Sequence, residues 1–371
     1  MTDFRIPTHV RLAPGCSANL PAVALELGAT RVLFVTDGGL VDGPLVKRAL
    51  AKLESAGVDC LLFGEVEANP RTQTAERIAA LAKPGDVIVG FGGGSVMDAA
   101  KAAAMLATNP GGVNAWLGKK VFPQEPLPFV AIPTTCGTGS EVTWVAVLTD
   151  QARNVKISIK GTQLFPNVAL VDPELLRGLP PHLIASTGLD AMTHALEATT
   201  GCVRNPISDA MAEKSLALSF EFLGRAVRDP KGDAQALDGV MRASTLAGLA
   251  FGNSDVAAVH CLSESLGGLY DVPHGLANAL LLAPVMRAHG ESVAPRLAEL
   301  AQVLGQGATA ADFMNELEGL VASLELPGVS SLGIVQGEER RIAELAVANG
   351  SNSSNPRKMG VQEYLDILNE L

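Results

Sequence analysis

The first third of the chain alternates short apolar strands with helical segments, and this alternation limits the fold most strongly. Strands are predicted at residues 31–37 (RVLFVTD), 59–66, 86–92 and 128–135, and helices at 43–56, 72–82 and 95–107. Residues 4–12 are predicted to form an extended edge segment. Strands and helices that follow one another at this spacing predict a doubly wound α/β domain with a mainly parallel sheet.

The second half of the chain has a different character. After Pro180, Ala- and Leu-rich segments with helical periodicity follow one another, and β-branched runs are few. A chain of 371 residues also exceeds the usual size of one domain. We therefore expect an α/β domain over residues 1–180 and a nearly all-helical domain over residues 181–371, with the boundary near Leu179-Pro180-Pro181.

Two glycine-rich loops follow predicted strands in the first domain. Residues 90–95 (GFGGGS) leave a strand and open a helix, where glycines let the backbone approach a phosphate and the helix dipole stabilises an anion. The spacing differs from G-x-G-x-x-G, and a tight strand-to-helix turn explains the glycines equally well. Residues 133–140 (PTTCGTGS) form the second loop. Two such loops at strand ends favour a dinucleotide site over two unrelated turns.

Asp37 ends the first predicted strand. An acid at this position can accept hydrogen bonds from a ribose diol and repels a 2′-phosphate, so it favours NAD over NADP. The alternative is an ordinary loop aspartate, and the sequence leaves both readings open.

Four residues in the second domain have the chemistry of metal ligands. Asp190 and His194 lie one helical turn apart, and His260 and His274 occur downstream in a chain with six histidines. One carboxylate with three imidazoles suits Fe(II), Zn(II), Mn(II) or Co(II). Spacing alone fits buried structural histidines equally well.

Composition excludes several classes of protein. A net charge of −11 and a pI of about 5.1 argue against nucleic acid and anionic membranes as partners. The five scattered cysteines contain no C-x-x-C pair, which is typical of a reduced chain. We find no signal peptide or transmembrane segment, so a cytoplasmic protein is expected.

Taken together, four segments resemble the motifs of the iron-containing (group III) alcohol dehydrogenases in order and spacing. They are GGGSVMDAAK from Gly92, IPTTCGTGSEVT from Ile132, GLDAMTHALEA from Gly188 and HCLSESLGGLYDVPHGLANALLL from His260. The resemblance extends to Asn355-Pro356-Arg357 and covers nearly the whole chain. It implies the dehydroquinate synthase-like architecture of that family.

The resemblance also implies an activity and a set of site residues. The activity is the interconversion of a small alcohol with its aldehyde or ketone by hydride transfer to or from NAD(H), in a homodimer. The implied metal, Fe(II) or alternatively Zn(II) or Mn(II), would be held by Asp190, His194, His260 and His274. The implied cofactor-binding residues are Asp37, Asn69, Gly92, Gly93, Gly94, Ser95, Asp98, Thr134, Thr135, Thr138, Ser140 and Lys156.

One departure from the family pattern bears on the chemistry. Many members carry a further histidine four residues after the third ligand, near the nicotinamide, and this chain has Glu264 there. We consider two roles for Glu264: an acceptor that orients the His260 ring, and a proton relay that replaces the histidine. A solvated helix glutamate is the remaining alternative.

Related activities are also considered. A polyol dehydrogenase of the glycerol type and a maleylacetate reductase belong to the same superfamily, and a non-catalytic assembly protein would keep the fold without turnover. The complete D-x3-H and H-x13-H set favours the alcohol dehydrogenase over each of them.

Overall fold

A computed structural model describes residues 3–118 and 120–371, which separate into two compact units. One unit comprises residues 6–135 and 139–177 and contains the strands. The strands are β1 (His9–Leu12), β2 (Arg31–Asp37), β3 (Asp59–Val66), β4 (Asp86–Gly92), β5 (Phe129–Pro133), β6 (Val145–Asp150), β7 (Val155–Lys160) and β8 (Val168–Val171). The helices of this unit are α1 (Leu20–Glu26), α2 (Pro44–Ser55), α3 (Thr72–Leu81) and α4 (Gly94–Leu106).

Six of these strands form one sheet in the order β1-β8-β5-β4-β2-β3, and every pairing in it is parallel. β2 pairs with β3 on one side and β4 on the other, so Val32 lies between Cys60 and Val87. The predicted doubly wound α/β fold with a parallel sheet is therefore confirmed.

Apolar side chains of β2 alternate between two hydrophobic cores, one on each face of the sheet. Val32 and Phe34 pack in the core that includes residues of α1 and α2. Leu33 and Val35 pack in the core on the opposite face, which includes residues of α3 and α4. A strand covered on both faces has no polar side, which explains the uninterrupted apolar run in its sequence.

Three strands of this unit, β6, β7 and β8, were not predicted from the sequence. β8 is only four residues long and lies between β1 and β5 in the sheet. β6 and β7 form a separate antiparallel hairpin, in which Thr149 is opposite Lys156. β1 is shorter than the predicted edge segment but does occupy the edge of the sheet.

The other unit contains residues 178–371 together with residues 3–5 and 136–138. Its helices are α5 (Pro181–Thr200), α6 (Pro206–Arg228), α7 (Ala234–Phe251), α8 (Ala258–Tyr270), α9 (His274–His289), α10 (Ala294–Val303), α11 (Ala310–Ser323), α12 (Glu339–Ala348) and α13 (Val361–Glu370). The predicted helical character of the second half is confirmed. None of the helices in residues 3–118 and 120–371 has both the length and the apolar character required to cross a membrane.

Helix starts in this unit follow from local sequence. Pro181 begins α5 and Pro206 begins α6, because proline at a first helical position loses no hydrogen bond. The side chain of Asn205 caps α6 by accepting hydrogen bonds from the amides of Ile207 and Ser208. α5 is buried over most of its length, and this places its polar residues inside the unit.

Candidate metal centre and cofactor region

Three helices bring the predicted ligand residues together. Asp190 and His194 lie on α5, His260 lies in the first turn of α8, and His274 is the first residue of α9. Each offers a ligand atom, and these atoms all lie within 4.8 Å of one another. All four residues lie within 178–371, which belong to one compact unit, so this unit alone builds the cluster.

The closest pair in the cluster is His194 and His260, whose Nε2 atoms lie 3.0 Å apart. Oδ1 of Asp190 lies 3.7 Å from Nε2 of His274 and 3.8 Å from Nδ1 of His194. The side chains of Asp190 and His260 are 1% and 3% exposed, whereas that of His274 is 24% exposed. A largely buried group of nitrogen and oxygen donors at these separations fits one divalent ion.

Burial keeps one ligand neutral. Burial and the adjacent His260 lower the pKa of His194 well below its usual value. Its ring also stacks on Phe251, with the ring centroids 4.2 Å apart. A neutral, oriented imidazole retains the lone pair that metal binding requires.

Two buried residues that the sequence analysis missed support the ligands. Glu197 is fully buried, and its carboxylate lies 2.6 Å from Nδ1 of His260. The amide nitrogen of Asn278 lies 2.6 Å from Oδ1 of Asp190, and it also contacts Nε2 of His260 and of His274. Helical spacing was the available signal: Glu197 is three residues beyond one ligand, and Asn278 is four beyond another.

Glu264 does not make the orienting contact that we expected of it. Nδ1 of His260 is bonded to Glu197, and the Glu264 carboxylate instead accepts a hydrogen bond of 2.6 Å from Nδ2 of Asn349. Spacing placed Glu264 one turn beyond His260, but the ring nitrogen points across to α5. The orienting role is therefore wrong for Glu264, and the proton-relay role stays a prediction.

A glycine brings a loop against the metal ligands. Residues 136–138 pack with the helical unit, and a Cβ atom on Gly137 would lie 2.9 Å from the backbone oxygen of Thr187 and 3.0 Å from Oδ2 of Asp190. Only glycine allows the backbone to approach α5 this closely.

Several predicted cofactor residues lie at or just after the carboxyl ends of neighbouring strands in the α/β unit. Asp37, Gly92 and Pro133 are the last residues of β2, β4 and β5, which are neighbouring parallel strands. Because α2 and α4 leave towards opposite faces, the ends of β2 and β4 form a switch point of the kind that binds nucleotides.

The glycine turn at the end of β4 has the local geometry of an anion site. Gly93 precedes the first turn of α4, and no side chain of the described residues caps that turn. A Cβ on Gly92 would lie 2.5 Å from a methyl group of Val96, and one on Gly93 would lie 3.3 Å from Thr135. Backbone N–H groups therefore remain directed at the space beyond the helix start, where a phosphate can accept them.

Other residues predicted to bind cofactor already have protein contacts. Oδ1 of Asp37 accepts hydrogen bonds from the amides of Gly39 and Leu40. Asn69 is buried and has a left-handed backbone, with φ of 51°. Lys156 lies on β7 and Thr134 is buried after β5.

Asp98 and Ser140 belong to a buried network around Lys101. Oγ of Ser140 lies 2.7 Å from both Oδ1 of Asp98 and Nζ of Lys101, which also donates to Oγ1 of Thr143. Burial raises the pKa of Asp98 and lowers that of Lys101 to about 8. The network fixes the loop after β5, and direct contact of Asp98 or Ser140 with cofactor stays a prediction.

Comparison with known proteins identifies the class. The family model described as "Iron-containing alcohol dehydrogenase" matches residues 7–173, and that of the "Fe-containing alcohol dehydrogenase family, C-terminal" matches residues 184–371. The chain belongs to the iron-containing alcohol dehydrogenase family. The predicted family and its alcohol dehydrogenase class are confirmed by these matches, and an NAD-dependent member is among the relatives below.

Similar proteins span several substrates. The chain is 33% identical to choline dehydrogenase of Bacillus subtilis (strain 168), over 97% of this chain and 92% of that protein. It is 32% identical to NAD-dependent methanol dehydrogenase of Bacillus methanolicus, over 99% of each. A crystal structure of 1,3-propanediol oxidoreductase is 34% identical with a TM-score of 0.95, covering 100% of this chain and 99% of that one.

Proposed function

We propose that this chain interconverts a small primary alcohol and its aldehyde with NAD(H), using the cluster of Asp190, His194, His260 and His274. The observation that carries the proposal is the convergence of these four ligand atoms within 4.8 Å. Choline, methanol and 1,3-propanediol, which the names of similar proteins give, all contain a primary alcohol. This common group supports a primary alcohol as the substrate class.

The donor set fits a divalent ion, with Fe(II) as the first choice. Such an ion, when bound, lowers the pKa of an alcohol and polarises a carbonyl. Iron or manganese accepts more ligands than the four side chains supply, which leaves room for substrate. The protein's own part is to present three imidazoles and one carboxylate in fixed orientations.

For the cofactor, we propose that NAD(H) lies along the carboxyl ends of β2, β4 and β5. The first turn of α4 would donate backbone N–H groups to the pyrophosphate, since no side chain of the described residues caps it. Asp37 would accept hydrogen bonds from the adenosine ribose through the carboxylate that already holds the turn after β2. A half-buried carboxylate there disfavours a 2′-phosphate.

We also propose a cytoplasmic homodimer. β1 lies at the sheet edge and pairs with β8 on one side. The edge strand is the segment that we expect to meet the partner chain, because an edge has backbone groups available for contact.

The decisive experiment measures NADH absorbance with a panel of primary alcohols and aldehydes, together with the iron, zinc and manganese content of the same sample. Turnover should disappear on chelation and return when Fe(II) is restored. Undiminished turnover in the metal-free protein would refute the proposal.

Glu264 is proposed as the proton relay of this enzyme. If it moves a proton, Glu264→Gln keeps the hydrogen bond to Asn349 but loses the acid, so kcat and its pH dependence change while metal content is retained. The matched variant is Asn349→Ala, which removes the bond and keeps the acid. Wild-type kcat and pH profile in Glu264→Gln would leave Glu264 without a catalytic role.

A further inference from the structure

We infer that Glu197 is a positioning residue for the metal, because it fixes which ring nitrogen of His260 carries the proton and holds that ring towards the other ligands. The inference rests on the proposed metal site and adds a residue that is not itself a ligand. Glu197 lies on α5, one turn beyond His194, and reaches α8 with its carboxylate.

The contacts of Glu197 determine its role at His260. Its Oε1 accepts from the amide of Val259 at 2.7 Å, and its Oε2 accepts from the amide of Ala257 at 2.8 Å. Backbone amides only donate, so both oxygens act as acceptors. The third contact, 2.6 Å from Oε2 to Nδ1 of His260, therefore requires the proton on Nδ1. In the neutral ring, a proton on Nδ1 leaves the lone pair of Nε2 for the metal.

Asn278 contacts Nε2, the other nitrogen of the His260 ring. Its side-chain group at 2.6 Å from Oδ1 of Asp190 must be the NH2, because a carboxylate accepts hydrogen bonds. The same NH2 lies 3.1 Å from Nε2 of His260. One hydrogen of this NH2 is donated to Asp190, and the other can be donated to Nε2 of His260 or to Nε2 of His274, which lies 3.2 Å away. Donation to His260 is compatible with the Nδ1–H form that the Glu197 contact requires.

The carboxylate also fixes where α8 begins. Ala257 precedes the helix with non-helical backbone and has no side chain able to cap it. Glu197 supplies that cap from another helix, since it bonds the amides of Ala257 and Val259 at the helix start. One residue thus holds both the helix and the ligand one position further along it.

A structural cap alone would also explain a buried carboxylate, and Glu197→Gln separates the two roles. Glutamine has the same size but offers only one acceptor oxygen beside one NH2 group. If the oxygen takes the place of Oε1 and keeps Val259, the NH2 faces the amide of Ala257 and Nδ1 of His260, and it favours the proton on Nε2, where that proton blocks metal binding. If the oxygen takes the place of Oε2, it keeps Ala257 and His260 while the NH2 opposes the amide of Val259, so Nδ1–H bonds a neutral oxygen in place of a carboxylate and the ring is held less firmly. We expect Zn(II) affinity to fall about 10–100-fold while helix content is retained.

A matched control is Asp233→Asn. Asp233 also caps a helix of this unit, accepting from the amide of Ala236 at 2.9 Å at the start of α7, and Arg225 is its ion-pair partner. Loss of its charge should cost some stability and leave Zn(II) affinity unchanged. A fall in affinity in both variants would mean that any damaged cap loosens the site, and would overturn the inference.

The ring nitrogens can be observed directly. In the Zn(II)-loaded wild-type protein, ¹⁵N NMR of the histidine rings should find His260 protonated at Nδ1 and bound through Nε2. This measurement needs no variant, so it decides the question even where Glu197→Gln does not fold. Metal on Nδ1, or an unprotonated Nδ1, would overturn the inference, as would wild-type Zn(II) affinity in folded Glu197→Gln.

Failure of the inference and failure of the proposed function give different results. If wild-type turnover survives chelation, the proposed function fails. If wild-type turnover requires metal and Glu197→Gln binds Zn(II) as wild type does, only the role of Glu197 fails.

Discussion

The candidate metal cluster and the glycine turn after β4 differ in the groups that they offer to a charged ligand. The cluster uses side chains: Asp190 and three histidines converge, and buried Glu197 and Asn278 fix their orientation. The turn after β4 uses backbone N–H groups, with glycines that make room for them. A side-chain site depends on residue type and partners, whereas a backbone site depends on the absence of Cβ atoms. The two regions should therefore respond to different substitutions.

The largest expected effect tests whether the two regions work separately. His194→Ala removes a ligand from the cluster and should lower turnover on the order of 10³-fold or more, since the metal supplies several kcal/mol of transition-state stabilisation. NADH affinity, measured by fluorescence titration, should change little because the glycine turn belongs to the other compact unit.

The control for this prediction is His182→Ala, which changes an exposed histidine of the same helix α5. It should leave turnover, metal content and NADH affinity unchanged. A parallel loss of NADH affinity in His194→Ala would show that the metal cluster and the glycine turn do not bind their ligands independently.

Each unit contains a buried basic side chain, and we expect the one in the helical unit, His289, to make folding stability sensitive to acid. His289 is 2% exposed, and neither ring nitrogen has a hydrogen-bond partner among the described residues. Burial lowers its pKa to about 4. Lys101 in the α/β unit is buried as well, but its amino group makes several hydrogen bonds.

The direction in which folding stability changes with pH follows from the number of protons that the folded and unfolded chains bind. Between the unfolded pKa of about 6.5 and the folded value of about 4, the unfolded chain binds more protons, so stability is full above pH 6.5 and falls as pH falls towards 4. The loss amounts to about 3 kcal/mol over that window. His289→Phe keeps a ring in the cavity and should flatten this slope in urea unfolding. An unchanged slope would assign the acid sensitivity to other groups.

A glycine at the metal cluster offers a sharper test, because its missing side chain lets a loop backbone approach a ligand of the helical unit. Gly137→Ala places a methyl group 2.9 Å from the backbone oxygen of Thr187, which cannot move without shifting α5 beside Asp190. We expect a loss of about 2 kcal/mol in unfolding free energy, in the range for overpacked sites. Metal affinity should fall with it.

The matched variant is Gly224→Ala in α6, where a Cβ meets nothing within 4 Å. An alanine in an open helical position should stabilise the protein by about 0.5–1 kcal/mol. If Gly137→Ala behaves like Gly224→Ala in unfolding and metal titration, the close approach of the loop has no consequence for the ligands.

The ease of prediction differed between these regions for physical reasons. β2 and β4 were evident because strands covered on both faces are uninterrupted apolar runs. The ligand set was implied by the resemblance to the family motifs, because the helical spacing of Asp190 and His194 alone fits buried structural residues equally well. β8 is too short for periodicity to reveal, whereas the alternation of apolar and polar residues in β7 (VKISIK) is a strand signal that the sequence analysis overlooked. The orienting role considered for Glu264 is wrong because helical spacing gives a shared face but not the direction of a ring nitrogen. That direction depends on Glu197, a contact between α5 and α8.

The smallest effect concerns Asp37, where a side chain supplements the backbone-built cofactor region. Its carboxylate is half-buried, and one oxygen already accepts from Gly39 and Leu40, so solvent and local hydrogen bonds weaken its field. Removing the charge in Asp37→Asn keeps the turn and should narrow the preference for NAD over NADP by about 1 kcal/mol, or about fivefold in the ratio of kcat/KM values. Asp42→Asn, on the same loop, is the control and should leave the ratio unchanged. A wild-type enzyme that uses NADPH better than NADH would show that the acid at the end of β2 does not select the cofactor, and that the backbone turn alone sets its binding.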